Sequence, residues 1–125
     1  MKLKAKWVKI TDVEPILPIA HINTDTWGLI TKDTCGVENI RLSISEIKPG
    51  GCAESFVHEG FQQLTFILSG RGKISVNNED FFVEPDGCLF IPDTTEHKTE
   101  VIGKETLRQI IILVKVPEEQ KTNQK

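Results

Sequence analysis

The sequence predicts an all-β fold, a single domain of short antiparallel strands closed into a sandwich or barrel. Three observations carry this. Turn signals recur at short intervals, at Pro49-Gly50-Gly51, Ser69-Gly70-Arg71-Gly72, Asn77-Asn78-Glu79-Asp80, Pro85-Asp86-Gly87 and Gly103-Lys104-Glu105. The segments between them are short and rich in Ile, Val, Leu, Phe and Thr. No segment keeps a 3.6-residue apolar stripe long enough for a helix of several turns.

Each element follows in order. Residues 1–30 read as an irregular N-terminal arm, because Pro15 and Pro18 break any regular element there. His21 has no partner by spacing and is expected on the surface of that arm. In 40–47, Ile40, Leu42 and Ile44 share one strand face, and Arg41, Ser43 and Ser45 the other. In 63–68, Leu64, Phe66 and Leu68 oppose Gln63, Thr65 and Ile67. In 73–77, Ile74 and Val76 alternate with Lys73, Ser75 and Asn77. Arg108–Val116 is apolar almost throughout, as a strand buried on both faces would be. The barrel is therefore expected over 31–117, and the polar stretch 118–125 as a frayed tail.

Composition narrows the partners. A chain of 125 residues suits one domain, and 38% hydrophobic with 26% charged residues is enough for one core. The net charge of −3 is scattered, and Lys and Arg form no block, so no nucleic-acid partner is expected. The longest apolar run, Ile110-Ile111-Ile112-Leu113-Val114, is strand-sized, so no membrane span is expected. The basic start Met1-Lys2-Leu3-Lys4 leads into no apolar h-region, which argues against a secretory signal. Cys35, Cys52 and Cys88 are odd in number and form no CxxC pair. Reduced thiols in a cytoplasmic compartment are the expectation.

Two stretches carry a more specific pattern. The first runs Pro49-Gly50-Gly51, then His58, Gln63 and Gly70. The second runs Pro85-Asp86-Gly87-Cys88-Leu89-Phe90-Ile91-Pro92-Asp93-Thr94-Thr95-Glu96-His97. Together they resemble the two motifs of the cupin family, over about residues 40 to 116. The first family motif is a His-x-His pair, a Glu some four residues on, and a Gly seven after the Glu. The second is a Gly, an apolar strand, Pro-x-Gly, and a His three after that Gly. His58 matches the second His of the first motif, and His97 the His of the second. Gln63 stands where the family has Glu, and Phe56 where it has its first His. Thr94 replaces the Gly of Pro-x-Gly, and the Gly before the apolar strand is displaced by one, as Asp86-Gly87.

The resemblance implies a single-domain cupin jelly-roll β-barrel of two antiparallel sheets, with ligands on inward-facing strand positions. It implies one divalent transition metal, Fe, Ni, Cu, Zn or Mn, held by His58, Gln63 and His97. All three donors are neutral, so such a site keeps the full metal charge and leaves positions open to water or substrate. Glu59 is an alternative third ligand if the loop shifts by one residue. Arg41, Phe56 and Thr65 are candidates for substrate binding: Arg41 as a carboxylate clamp if its strand face looks inward, Phe56 as an apolar wall or plain core. Whether Gln63 points inward depends on the register after Gly60. The partners implied are a small-molecule ligand or substrate and a second copy of the chain, with Trp7 and Trp27 available to a dimer-forming arm. A metal-dependent enzyme of dioxygenase, lyase, isomerase or cyclase type and a non-catalytic binding cupin with a degenerate site both stay open.

Overall fold

A computed structural model describes residues 2–55 and 60–118. Eight strands make up more than half of it: β1 (His21–Ile30), β2 (Ile40–Ser55), β3 (Phe61–Ser69), β4 (Arg71–Val76), β5 (Glu79–Val83), β6 (Cys88–Ile91), β7 (His97–Ile102) and β8 (Leu107–Lys115). The one α-helical turn, α1 (Lys32–Cys35), is capped at Thr31, whose Oγ1 accepts from the Thr34 N–H at 3.2 Å, and ends at Gly36 with φ 75°.

The strands form one antiparallel network in the order β5-β4-β7-β2-β8-β3-β6, with β1 paired to β2. β2 serves both faces of the barrel. Its first half, Ile40 to Ile47, pairs with β8, and its second, Cys52 to Ser55, with β7. The Pro49-Gly50-Gly51 turn signal is therefore a corner inside one long strand. Gly50 has φ 81°, and a Cβ on Gly51 would stand 2.5 Å from the Ile22 carbonyl oxygen of β1. The result is a jelly-roll barrel, as the resemblance implies.

The N-terminal arm is shorter than the sequence suggests. It is irregular only as far as Ala20, and 21–30 is strand. Asn23 at φ 50° shifts the β1 register between Ile22 and Thr24. That bulge breaks the period of two by which a strand is recognised. The arm also folds back on β1, with Ile16 and Thr26 exchanging backbone bonds at 2.8 and 2.9 Å.

Tight turns sit where the sequence places them. Asn77 (φ 47°) and Asn78 (φ 68°) join β4 to β5 as a two-residue hairpin loop of the primed type. Both departures from the family glycines are also left-handed: Asp86 has φ 72° and Thr94 has φ 55°. Asp tolerates this conformation, but a β-branched Thr there is strained.

The core closes one end of the barrel. Ile47, Ala53, Ile67 and Leu107 are buried together, and Val83 and Val101 pack against them. β8 is not buried on both sides as the sequence suggests. Its inward Leu107, Gln109, Ile111 and Leu113 alternate with Ile110, Ile112 and Val114, which are only half-buried on the outer surface. Across the sheet these continue as Trp27, Ile44, Ile110, Phe66 and Cys88, and as Leu42, Ile112, Leu64 and Phe90. Among the described residues no helix is long and apolar enough to cross a membrane.

Candidate functional site

Above the core lies a cavity of about 250 Å³ inside the barrel. The strand register stacks its lining in tiers, since antiparallel partners point to the same face. Nearest the core are Thr26, Ser45 and Gln109; next come Ser43, Ile111 and Thr65; at the rim are Arg41, Leu113, Gln63 and Ile91. The opposite wall carries His21, Ala53, Thr99 and Ile74 at one level and His97 at the next. Thus the polar face of 40–47, with Arg41, Ser43 and Ser45, looks inward, and its apolar face outward.

The proposed site residues separate into two groups. Gln63 (5% exposed), Thr65 (1%) and His97 (8%) are buried and line the same cavity. Gln63 Nε2 donates to Thr65 Oγ1 at 2.8 Å, which leaves Oε1 as the amide atom not spent on that bond. Thr65 is placed to orient Gln63. Arg41 is exposed at the rim, where Gly28 makes room for it: a Cβ there would stand 3.4 Å from Arg41 Nη2. Phe56, His58 and Glu59 lie outside the described residues. Arg108 faces outward and pairs with Glu46 at 2.9 Å. Cys52 and Cys88 do not line the cavity, and all three cysteines are free.

Two residues gain a role that the sequence did not suggest. His21 is not a surface residue. It sits on β1 with its ring against the cavity, and its Nδ1 is buried without a hydrogen-bond partner among the described residues. Burial pushes its pKa below the ordinary histidine value, against a smaller opposing effect from the Glu54 backbone. Gln109 is 3% exposed, lines the cavity, and leaves its Oε1 buried without a partner among the described residues. An unpartnered buried acceptor of this kind costs about 1–3 kcal/mol. Gln109 did leave a trace in the sequence, as the one polar residue among Leu107, Ile111 and Leu113 on one face of an apolar strand. His21 left none, because its strand was not legible.

A divalent transition metal meets a mixed reception here. Among the described residues no three His, Cys, Asp or Glu side chains come together as a metal cluster. The described donors shared by one cavity are the His97 and His21 imidazoles and the Gln63 amide oxygen. Imidazole and amide donors fit a borderline transition ion and not a hard cation that needs several carboxylates. The turn that leads into His97 is tightly braced: Thr94 and Thr95 hydroxyls both donate to the Asp93 carbonyl, at 2.7 and 3.0 Å.

A jelly-roll barrel whose cavity takes Gln63 from the first motif stretch and Ile91 and His97 from the second defines the cupin class of protein. Comparison with known proteins agrees. The model of the cupin domain family matches residues 43–113, and the chain belongs to that family. The polyketide synthase CurC of Streptomyces cyaneus is 24% identical over 105 residues, covering 84% of this chain and 68% of its own. An uncharacterized protein of Methanocaldococcus jannaschii is 32% identical over 74 residues, 57% of this chain and 58% of that one. Among solved structures, a predicted oxalate decarboxylase from Thermotoga maritima superposes with a TM-score of 0.75 at 18% identity, over 89% of this chain and all of the other. The polyketide cyclase RemF from Streptomyces resistomycificus does so with 0.73 at 21% identity, over 94% and 89%. At such identities the structures share the fold.

Proposed function

We propose that the cavity binds a small organic molecule beside one divalent transition metal held by His58, Gln63 and His97. The observation that carries this reading is the burial of Gln63 and His97 in the wall of one cavity, with Gln63 oriented by Thr65. When bound, the metal supplies a Lewis-acid centre. The chain's own residues do the rest. Thr65 fixes the Gln63 amide, Arg41 at the rim attracts an anionic group, and the aliphatic walls exclude water. That relatives bear the names polyketide synthase and polyketide cyclase is in keeping with an organic substrate. The three free thiols suit a cytoplasmic setting.

The same reading includes a homodimer. The outer stripe through Leu42, Ile112, Leu64 and Phe90 is apolar and incompletely buried in a single copy, which supports a second copy covering it.

A second reading is a binding cupin without metal chemistry. It is favoured by the lack of a three-residue metal cluster among the described residues. Elemental analysis of untagged protein, beside a His58→Ala/His97→Ala double variant, separates the two. Near-stoichiometric metal in the parent and none in the variant is the expected result. A parent that stays metal-free after reconstitution with Fe, Ni, Cu, Zn and Mn overturns the metal reading in favour of the second.

A further inference from the structure

Gln109 and His21 make no contribution to the metal set just proposed, yet both turn polar atoms into the same cavity. Gln109 Oε1 is an acceptor with no donor among the described residues, on a residue 3% exposed. His21 Nδ1 is likewise buried and unpartnered among the described residues. Native interiors rarely leave such atoms unsatisfied, and a ligand is one of the few agents that can satisfy them. His21 is neutral near pH 7, since burial holds its protonation down. A neutral ring with its proton on Nε2 has Nδ1 free to accept.

The rest of the cavity restricts what can bring the donors. Among the described residues the lining holds no Asp or Glu, and Arg41 is the one of permanent charge. Arg41 at the rim favours a molecule that carries an anionic group. The described walls carry the aliphatic Ile74, Ile91, Ile111 and Leu113, and among the described lining residues no aromatic ring is present to stack on a sugar. The volume of about 250 Å³ falls just below the usual span for drug-sized ligands, roughly 300–1,000 Å³. Arg41 lies four residues along β2 from Ser45, the partner of Gln109, which is roughly 13 Å of strand. An arginine side chain reaching inward and a one-ring ligand fill that span together.

We propose that Gln109 and His21 are the recognition pair of the barrel. They accept from two hydroxyl groups of a small hydroxylated carboxylic acid whose carboxylate is held at Arg41. This rests on the reading of the cavity as a ligand site and not on the metal. It assigns Gln109 a cost to the empty protein that the bound molecule removes.

The test is calorimetric titration of the full, chelator-treated chain with two probes. One is the dihydroxybenzoate with both hydroxyls meta to its carboxylate, a geometry that does not chelate metal. The other is benzoate. The dihydroxy acid should bind at least about tenfold more tightly than benzoate. Gln109→Leu and His21→Leu should each remove most of that preference, and Arg41→Gln should weaken both probes alike. Thermal unfolding supplies the second readout. Without ligand, Gln109→Leu should raise Tm by a few degrees, because an orphaned buried acceptor is replaced by an apolar group of similar size. Gln109→Met serves as an unbranched control for shape. Equal binding of the two probes, binding of neither, or a fall in Tm for both Gln109 variants overturns the proposal. Metal content is read separately, by elemental analysis of the parent chain, so the metal reading stands or falls on its own.

Discussion

The inner and outer faces of the sheet formed by β2, β8, β3 and β6 are built from the same strands in opposite senses. Inward, above the core, they carry Arg41, Ser43, Ser45, Gln63, Thr65 and Gln109; outward they carry Leu42, Ile44, Leu64, Phe66, Ile110 and Ile112. A sheet that served only to bury a core would have this reversed. The difference teaches that the apolar face of a strand is not always the core face. The lowest tier, with Ile47, Ile67 and Leu107, is wholly apolar inward, and the tiers above it mix polar residues with Ile91, Ile111 and Leu113. Apolar packing is concentrated there, the polar residues of the cavity lie above it, and the outer stripe is the surface proposed to take a second copy.

The sharpest way to break this comparison is to put a charge in the lowest tier. Ile47→Asp buries an unpaired carboxylate at a fully buried position and should cost more than about 4 kcal/mol, abolishing the cooperative transition in chemical denaturation. Ile67→Ala in the same tier should cost about 2–5 kcal/mol by the same assay. Ile112→Glu, on the outer stripe, should leave the monomer folded and convert the proposed dimer to monomer in sedimentation equilibrium. A variant that instead unfolds would make the outer stripe part of the core.

Smaller effects sharpen the account of the site. Thr94→Gly relieves a β-branched residue at φ 55° and should raise stability by about 1 kcal/mol, read as a higher denaturant midpoint. His21 gives a pH signature. Its folded pKa lies below the unfolded value of 6.5, so the unfolded chain takes up the proton first as pH falls. The stability it contributes is therefore complete above pH 6.5 and is lost as pH drops from there through the folded pKa. His21→Leu should flatten that part of the stability–pH curve. The Arg108–Glu46 pair is half-exposed and should matter least, with Glu46→Gln costing under about 1 kcal/mol in the same titration.

Much of the barrel was legible because period-two alternation and turn residues act locally. The strands around 40–47, 63–68, 73–77 and 108–116 and the Asn77-Asn78 hairpin are all present. What was hidden depends on long-range packing. The bulge at Asn23 masked β1 and with it His21. The corner at Gly50-Gly51 looks like any turn until β1 is laid beside it. The direction of the Arg41 face could not be read from alternation, which gives two faces and no inside. At the site, the family pattern brought out Gln63 and His97, while Gln109 matches no motif and is recognised only by its orphaned oxygen in the cavity.

The division of labour between the two faces is tested most directly by native mass spectrometry of the untagged chain. The account predicts a dimer of 14.0 kDa subunits, each carrying the added mass of a bound metal or small organic molecule that is lost on unfolding. A bare 14.0 kDa monomer, unchanged after incubation with transition metals and the dihydroxybenzoate probe, would contradict it on both faces at once.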